Sequence, residues 1–318
     1  MVSGTPLRVV FFGTPSFAVP SLEAVLASRH PVVGVVTQPD RPRGRGQKTS
    51  DSPVKALALS ARVPTLQPAT LKDPAFVVSL RAFGADIGVV AAYGRILPEA
   101  VLATPRLGMI NVHASLLPRH RGAAPVHRAI LAGDRETGVT IMRVVKALDA
   151  GPMLAETRRP IGSDETSAEV EQDLARLGAA LLVSTLEELA GGAARETPQD
   201  DSRATYASRL TKEDGLIDWH QAASHIHNQV RGLHPWPHAY SYLHNARLIV
   251  RRTRCAIGCS VAPPGEIVAA SGDMLRVATS DGGIDLIELQ PEGKRPMSAR
   301  DFLAGYRVRP GDRFTGAP

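Results

Sequence analysis

The sequence predicts an α/β protein, with a parallel-sheet domain first and a smaller domain of short strands, suggestive of a barrel, after it. Two observations carry this. Near the N-terminus the apolar run Arg8–Phe12 stops at Gly13, a helical stretch covers 16–28, and Val32–Thr37 forms a second apolar run. Strand, glycine turn, helix and strand make a βαβ unit, whose right-handed crossover sets two strands parallel. Beyond Leu210 the pattern changes: short apolar runs at 238–243, 246–254, 265–270, 273–279 and 284–290 are separated by Pro and Gly turns. That spacing is the mark of an all-β module.

The remaining elements follow in order. Further strands are expected at Asp86–Ala91, Met109–His113 and Thr140–Val145, with helices near 70–82, 123–132 and 165–190. In an open parallel sheet, ligands bind beyond the C-terminal strand ends, which puts Tyr93–Leu97 and Asn111–Pro118 at the binding edge. The turn Gly13-Thr14-Pro15 sits where a phosphate-binding loop would, but Gly-x-Gly-x-x-Gly is absent, so no dinucleotide cofactor is expected. A helix over Ala179–Leu189 gives way to Gly191-Gly192 and the acidic run Glu196–Ser202, which reads as a linker. The chain therefore divides into a first domain at 1–189, a linker at 190–208 and a second domain at 209–318, the last opened by a helical stretch over 219–232.

Bulk properties narrow the class. At 318 residues, with 43% hydrophobic and 21% charged content, the chain is long enough for two soluble domains. A net charge of +6 and a pI near 9.6 favour a polyanionic partner. No apolar run approaches a membrane span and no basic-then-apolar leader opens the sequence, so a cytoplasmic protein without membrane association is expected. Cys255 and Cys259 lack a second cysteine pair to complete a zinc site, and His220, His225 and His227 lie in a polar helical context. No metal is expected.

The stretch Gly108–Pro118 holds the strongest chemical signal. Asn111 and His113 stand two apart in a β-rich run, and residues i and i+2 of a strand share a face. An amide beside an imidazole suits a reaction in which an oxyanion is hydrogen-bonded while a proton moves. Alone, a histidine at a strand end is more often a satisfied structural residue.

Downstream come Arg119-His120-Arg121-Gly122, Gly133-Asp134, Thr137-Gly138-Val139-Thr140 and Leu148-Asp149-Ala150-Gly151. With Asn-x-His-x-Ser-Leu-Leu-Pro these ordered motifs resemble the folate-dependent formyltransferases, which use 10-formyltetrahydrofolate. The match continues at Phe11–Ala18, Thr37–Gly46, Ser52–Lys55, Ala204–Ala207, Leu210–Asp214, Ile217–Trp219 and Pro235–Pro237, and so runs from about residue 7 to about 310. These outer motifs resemble the members that act on methionyl initiator tRNA. The resemblance implies a Rossmann-like catalytic domain and an OB-fold-like tRNA-binding barrel. It implies Asn111, His113 and Asp149 as the catalytic set, with Asp149 beside His113 and no covalent enzyme intermediate. It implies folate contacts from Arg95, Ile96 and Leu97 on one side and Ser115, Leu116, Leu117 and Pro118 on the other. A monomer without a stable protein partner is the family expectation.

Two basic regions would meet the tRNA. Residues 38–55 hold Arg41, Arg43, Arg45, Lys48 and Lys55 against Asp40 and Asp51, in a loop broken by Pro39, Pro42, Gly44 and Gly46. A loop this long in a compact domain is functional or disordered, and the resemblance implies that it enters the acceptor stem with Arg45 as the main contact. Residues 209–318 carry 14 Lys/Arg against 11 Asp/Glu, and Arg247, Arg251, Arg252 and Arg254 fall within eight residues. Phosphate contact by Arg247, Arg251 and Arg252 is the favoured role, with a solvated strand face as the alternative. The sequence departs from the family pattern at His120, where Trp is usual, and at Lys146-Ala147 and Ala150. Rival assignments are a formyltransferase acting on a nucleotide sugar or glycinamide ribonucleotide, and a non-catalytic RNA-binding protein; neither uses all of these features.

Overall fold

The computed structural model of the chain describes residues 4–40, 42–43, 48–256 and 262–317, with backbone only at 42, 43, 48 and 49. The contacts separate two compact units, one of Met1–Pro125, Glu136–Pro160 and Glu171–Ala207, the other of Val126–Arg135, Ile161–Val170 and Ser208–Pro318. Among the described residues no helix is long and apolar enough to cross a membrane.

The first unit is built on seven strands: β1 (Val9–Gly13), β2 (Val32–Val36), β3 (Thr65–Leu66), β4 (Ile87–Ala91), β5 (Met109–His113), β6 (Glu136–Arg143) and β7 (Met153–Pro160). Their order across the sheet is β7-β6-β5-β4-β1-β2-β3. β3 through β5 pair in parallel, whereas β6 and β7 run antiparallel to their neighbours. The expected strand at Thr140–Val145 is thus longer, begins at Glu136, and turns back on β5. The order reverses beside β1, between β2 and β4, so the carboxyl ends of β1, β4 and β5 face the usual ligand crevice of such sheets.

Helices α1 (Val19–Leu26) and α3 (Pro74–Ala82) fall within the expected stretches at 16–28 and 70–82 but start later, and α2 (Pro53–Ser60) is not among the expected elements. Each carries Pro at its first or second position; Ser52 accepts from Lys55 N and Asp73 from Ala75 N. Such caps satisfy helical N–H groups that have no partner within the helix. The α3 side of the sheet holds Val10, Phe12, Val36, Phe76, Leu80, Tyr93 and Met109, with Tyr93 set edge-on to Phe12 at 5.5 Å. A long helix over Ser167–Ala190 follows β7.

The second unit pairs β8 (Ala239–Leu243), β9 (Ala246–Ala256), β10 (Ile267–Ser271), β11 (Met274–Ala278) and β12 (Gly283–Pro291) in the order β8-β9-β12-β11-β10, all antiparallel. The five sequence-expected runs are these strands. The two edges are joined by the segment Gly311–Thr315. Tyr242 and Thr315 exchange both backbone bonds, at 3.1 and 2.9 Å, while Ile267 N reaches Asp312 O at 2.8 Å and Phe314 N reaches Gly265 O at 2.8 Å. The core contains Trp219, Leu248, Val250, Val277, Leu286, Phe302 and Phe314.

One surface of this unit is pH-sensitive. Arg251 Nη1 donates to His238 Nε2 at 3.3 Å, which requires that nitrogen to be unprotonated. Burial first, then the charge of Arg251, pushes His238 down to about 4. The unfolded chain therefore binds the proton that the folded one refuses, and stability declines as pH falls from about 6.5 toward 4. His238→Gln is expected to flatten the fall in thermal midpoint across that window while leaving it unchanged above pH 7.

Candidate active site

Strand β5 presents three buried apolar residues, Met109, Ile110 and Val112, to the packed sheet, and two polar ones at its carboxyl half. Asn111 is half-buried, and among the described residues its carboxamide has no hydrogen-bond partner. His113 is buried, and its Nε2 lies 3.0 Å from His120 O. A carbonyl only accepts, so Nε2 carries the hydrogen, and Nδ1 is the nitrogen turned to the remaining partner. That partner is Asp149, whose Oδ2 stands 3.7 Å from Nδ1. The gap exceeds a hydrogen bond and suits a shared water or a charge contact.

Asp149 is fixed from two directions. Its Oδ2 accepts from Gly122 N at 2.9 Å, and its backbone is in the left-handed region, with φ at +47°. That conformation costs a non-glycine residue on the order of 1 kcal/mol and persists only where the surroundings impose it. The carboxylate thus spans to the neighbouring loop instead of closing a local turn onto Gly151. Gly151 itself has no room for a side chain, since a Cβ there would lie 1.9 Å from Arg143 O.

The loop after β5 is closed by its own polar groups. Ser115 Oγ donates to Arg119 O at 2.7 Å, Thr140 Oγ1 donates to Ser115 O at 2.7 Å, and Leu117 N donates to Thr140 Oγ1 at 3.2 Å. Ser115, Leu117 and Pro118 are buried and Leu116 is half-buried. Beyond β4, Arg95 Nη1 donates to the carbonyls of Pro68 and Ala69 at 3.3 and 3.0 Å, Leu97 is in the core, and Ile96 is 84% exposed. Gln38 Nε2 donates to Tyr93 O at 2.7 Å and steadies the same loop.

Of the residues expected to meet nucleic acid, Arg41 and Arg45 lie outside the described residues. Arg43 and Lys48 fall in two short strands paired antiparallel, Pro42 with Thr49 and Arg43 with Lys48. The base of that loop is drawn together by Lys55, whose ammonium bonds Asp40 on one side and Asp51, at 2.8 Å, on the other. In the second unit Arg247 lies over the Tyr240 ring at 4.0 Å and Arg252 is exposed. Arg251 is already engaged by Glu288 and Gln290, at 3.1 and 3.2 Å, as well as by His238. Arg254 is also exposed. Cys255 is free and exposed, and Cys259 lies outside the described residues. Among the described residues no group of His, Cys, Asp and Glu could hold a metal ion.

Family comparison bears on both units. A model described as formyl transferase matches residues 7–186, and one described as formyl transferase, C-terminal domain, matches 209–307. The chain belongs to the formyl transferase family. Among its relatives is a protein from Citrifermentans bemidjiense named methionyl-tRNA formyltransferase, 48% identical over 96% of this chain and 96% of its own. Another, of the same name from Methylococcus capsulatus, is 49% identical over 95% and 98%. Among solved structures, an N-formyltransferase from Helicobacter canadensis in complex with folinic acid and dTDP-3-aminofucose superposes with a TM-score of 0.68. It covers 90% of this formyl transferase and 99% of its own chain at 17% identity, a likeness of fold. The Rossmann-like sheet of the first unit and the antiparallel second unit are those of formyl transferases.

Two residues beside the candidate site carry no local signal of it: Gln199 lies in the linker stretch, and Arg121 sits in a motif that assigns it no role. The Gln199 side chain reaches the Asp149 loop, and Arg121 reaches Gln199. The available signal was a buried-type amide in an otherwise charged stretch, which has no meaning until the fold brings 121, 149 and 199 together.

Proposed function

We propose that this chain transfers the formyl group of 10-formyltetrahydrofolate to the α-amino group of methionyl initiator tRNA, giving formylmethionyl-tRNA for translation initiation. The observation that carries this is near-half identity, over almost the full length, to proteins named for that reaction. The donor fits the first unit: exposed Ile96 beside buried Leu97, on a loop pinned by Arg95, offers an apolar ledge to a flat ring system. Ser115 to Pro118 would serve chiefly as the packed support of the opposite wall.

The neutral amine attacks the formyl carbon, the bond to folate N10 breaks, and a proton passes from the amine to N10. Asn111, with its carboxamide unspent, donates to the oxyanion of the tetrahedral intermediate. His113 works through Nδ1, because Nε2 is committed to His120 O. Asp149, 3.7 Å from Nδ1, orders the water that relays the amine's proton. Residues 1–189 form the catalytic domain, 190–208 the connection and 209–318 the tRNA-binding domain of a cytoplasmic monomer.

The tRNA meets the basic loop through Arg41, Arg43, Arg45 and Lys48 and the second unit through Arg247 and Arg252, with Arg251 holding the strand face from within. Lys55 acts on the loop by clasping Asp40 and Asp51. Lys55→Ala is expected to raise KM for methionyl-tRNA several-fold with little change in kcat, measured by steady-state formylation. The deciding assay offers 10-formyltetrahydrofolate with methionyl initiator tRNA, a nucleotide amino sugar or glycinamide ribonucleotide. Formylation of the tRNA alone is expected, and formylation of a small amine alone would overturn the assignment.

A further inference from the structure

We infer that Gln199 is a positioning residue for formyl transfer: its side-chain amide holds the main chain of the Asp149 loop in the one conformation that faces the carboxylate toward His113. Gln199 Nε2 donates to Asp149 O at 2.9 Å and to Gly151 O at 2.8 Å, so both amide hydrogens are spent on that turn. Its Oε1 accepts from Arg121 Nε and Nη2 at 3.0 and 2.8 Å. The guanidinium, almost fully buried and also paired with Asp201 at 2.6 Å, fixes which end of the amide is oxygen. A guanidinium only donates, so the amide nitrogen must face the carbonyls.

The arrangement is reciprocal. Arg121 holds Gln199, Gln199 holds the backbone at 149 and 151, and Gly122 N, one residue after Arg121, holds the Asp149 carboxylate. Asp149 is in the left-handed backbone region, a conformation that costs a non-glycine residue and that these bonds offset. The same strip of chain braces the other partner of His113. His120 N donates to Thr205 Oγ1 at 2.9 Å, Arg121 N donates to Thr205 O at 2.8 Å, and Tyr206–Ala207 pairs in parallel with Arg121–Gly122. Residues 199–207 therefore set both the carbonyl that fixes the imidazole and the turn that presents the carboxylate.

This inference rests on Asp149 acting in catalysis, and the test separates the two. Single-turnover rates, with KM for methionyl-tRNA and for 10-formyltetrahydrofolate, would be measured for Gln199→Ala, Gln199→Glu, Asp149→Ala and the Gln199→Ala/Asp149→Ala double variant. Thermal midpoints would confirm folding. Gln199→Ala is expected to slow transfer about tenfold or more with both KM values within about twofold. Gln199→Glu keeps an acceptor for Arg121 but turns an oxygen on the two carbonyls, so it should be no better than alanine; recovery of the rate in it would assign Gln199 to anchoring Arg121 and overturn the inference. On the Asp149→Ala background the Gln199 change should cost less than about twofold. An equal loss on both backgrounds, or full rates in both Gln199 variants while Asp149→Ala is slow, overturns the inference alone. A full rate in Asp149→Ala overturns the catalytic assignment with it.

Discussion

Asn111→Ala is expected to slow single-turnover formyl transfer roughly 10²- to 10³-fold, the usual loss when one preorganised oxyanion donor is removed. The carboxamide is half-buried and among the described residues has no partner, so nothing in the fold is left unsatisfied by its removal. Its thermal midpoint should stay near that of the parent, within the range of about 0.5 kcal/mol seen for substitutions away from packed features. His113→Ala should cause a similar kinetic loss but also remove the buried bond from Nε2 to His120 O, and so lower stability as well. Because the three groups act on one intermediate, the losses for Asn111, His113 and Asp149 should combine far less than additively. Rates near the parent's in all three folded variants would refute the assignment.

Trp219→Ala is expected to destabilise the second unit by about 3–5 kcal/mol, the cost of emptying an aromatic site in a core. The indole is 4% exposed and packs against Phe314 with ring centroids 5.1 Å apart. Its Nε1 donates to Ser241 Oγ at 3.0 Å, and that hydroxyl donates in turn to Thr315 O at 2.8 Å. Both partners of the indole thus belong to, or bond, the segment joining the two edge strands. Trp219→Phe keeps most of the volume and loses only the bond, so it should cost about 1 kcal/mol. Denaturant unfolding followed through the second unit would measure both, and equal costs for the two variants would place the stabilisation in the hydrogen bond instead of the packing.

Local signals carried much of this architecture. Met109–His113 was bounded by its apolar period, and the five short strands of the second unit were bounded by Pro and Gly turns, since both depend on near neighbours. Helix α2 was passed over although Ser52-Pro53 is an N-terminal signal, because the basic loop before it masked the amphipathic period. The reversed direction of β6 was not legible: a strand's sequence states which residues are buried, not which way its neighbour runs. Thr140 illustrates the same limit, since it reads as one more strand residue and in the fold donates to Ser115 O and accepts from Leu117 N. Gln199 lies 50 residues from Asp149 and 78 from Arg121, and no pattern of near neighbours joins them.

The backbone exchange between Tyr242 and Thr315, with Asp312 and Phe314 bonded to Ile267 and Gly265, has a colloidal consequence. An open five-stranded sheet offers two rows of unpaired N–H and C=O groups to any similar sheet it meets, and such rows seed aggregation. Gly311–Thr315 covers part of both rows with one short strip. A protease cut just before Gly311 would take Phe314 out of the core and uncover both sticky margins at once, and a chain that stays apart from its copies would turn into one that adds to them.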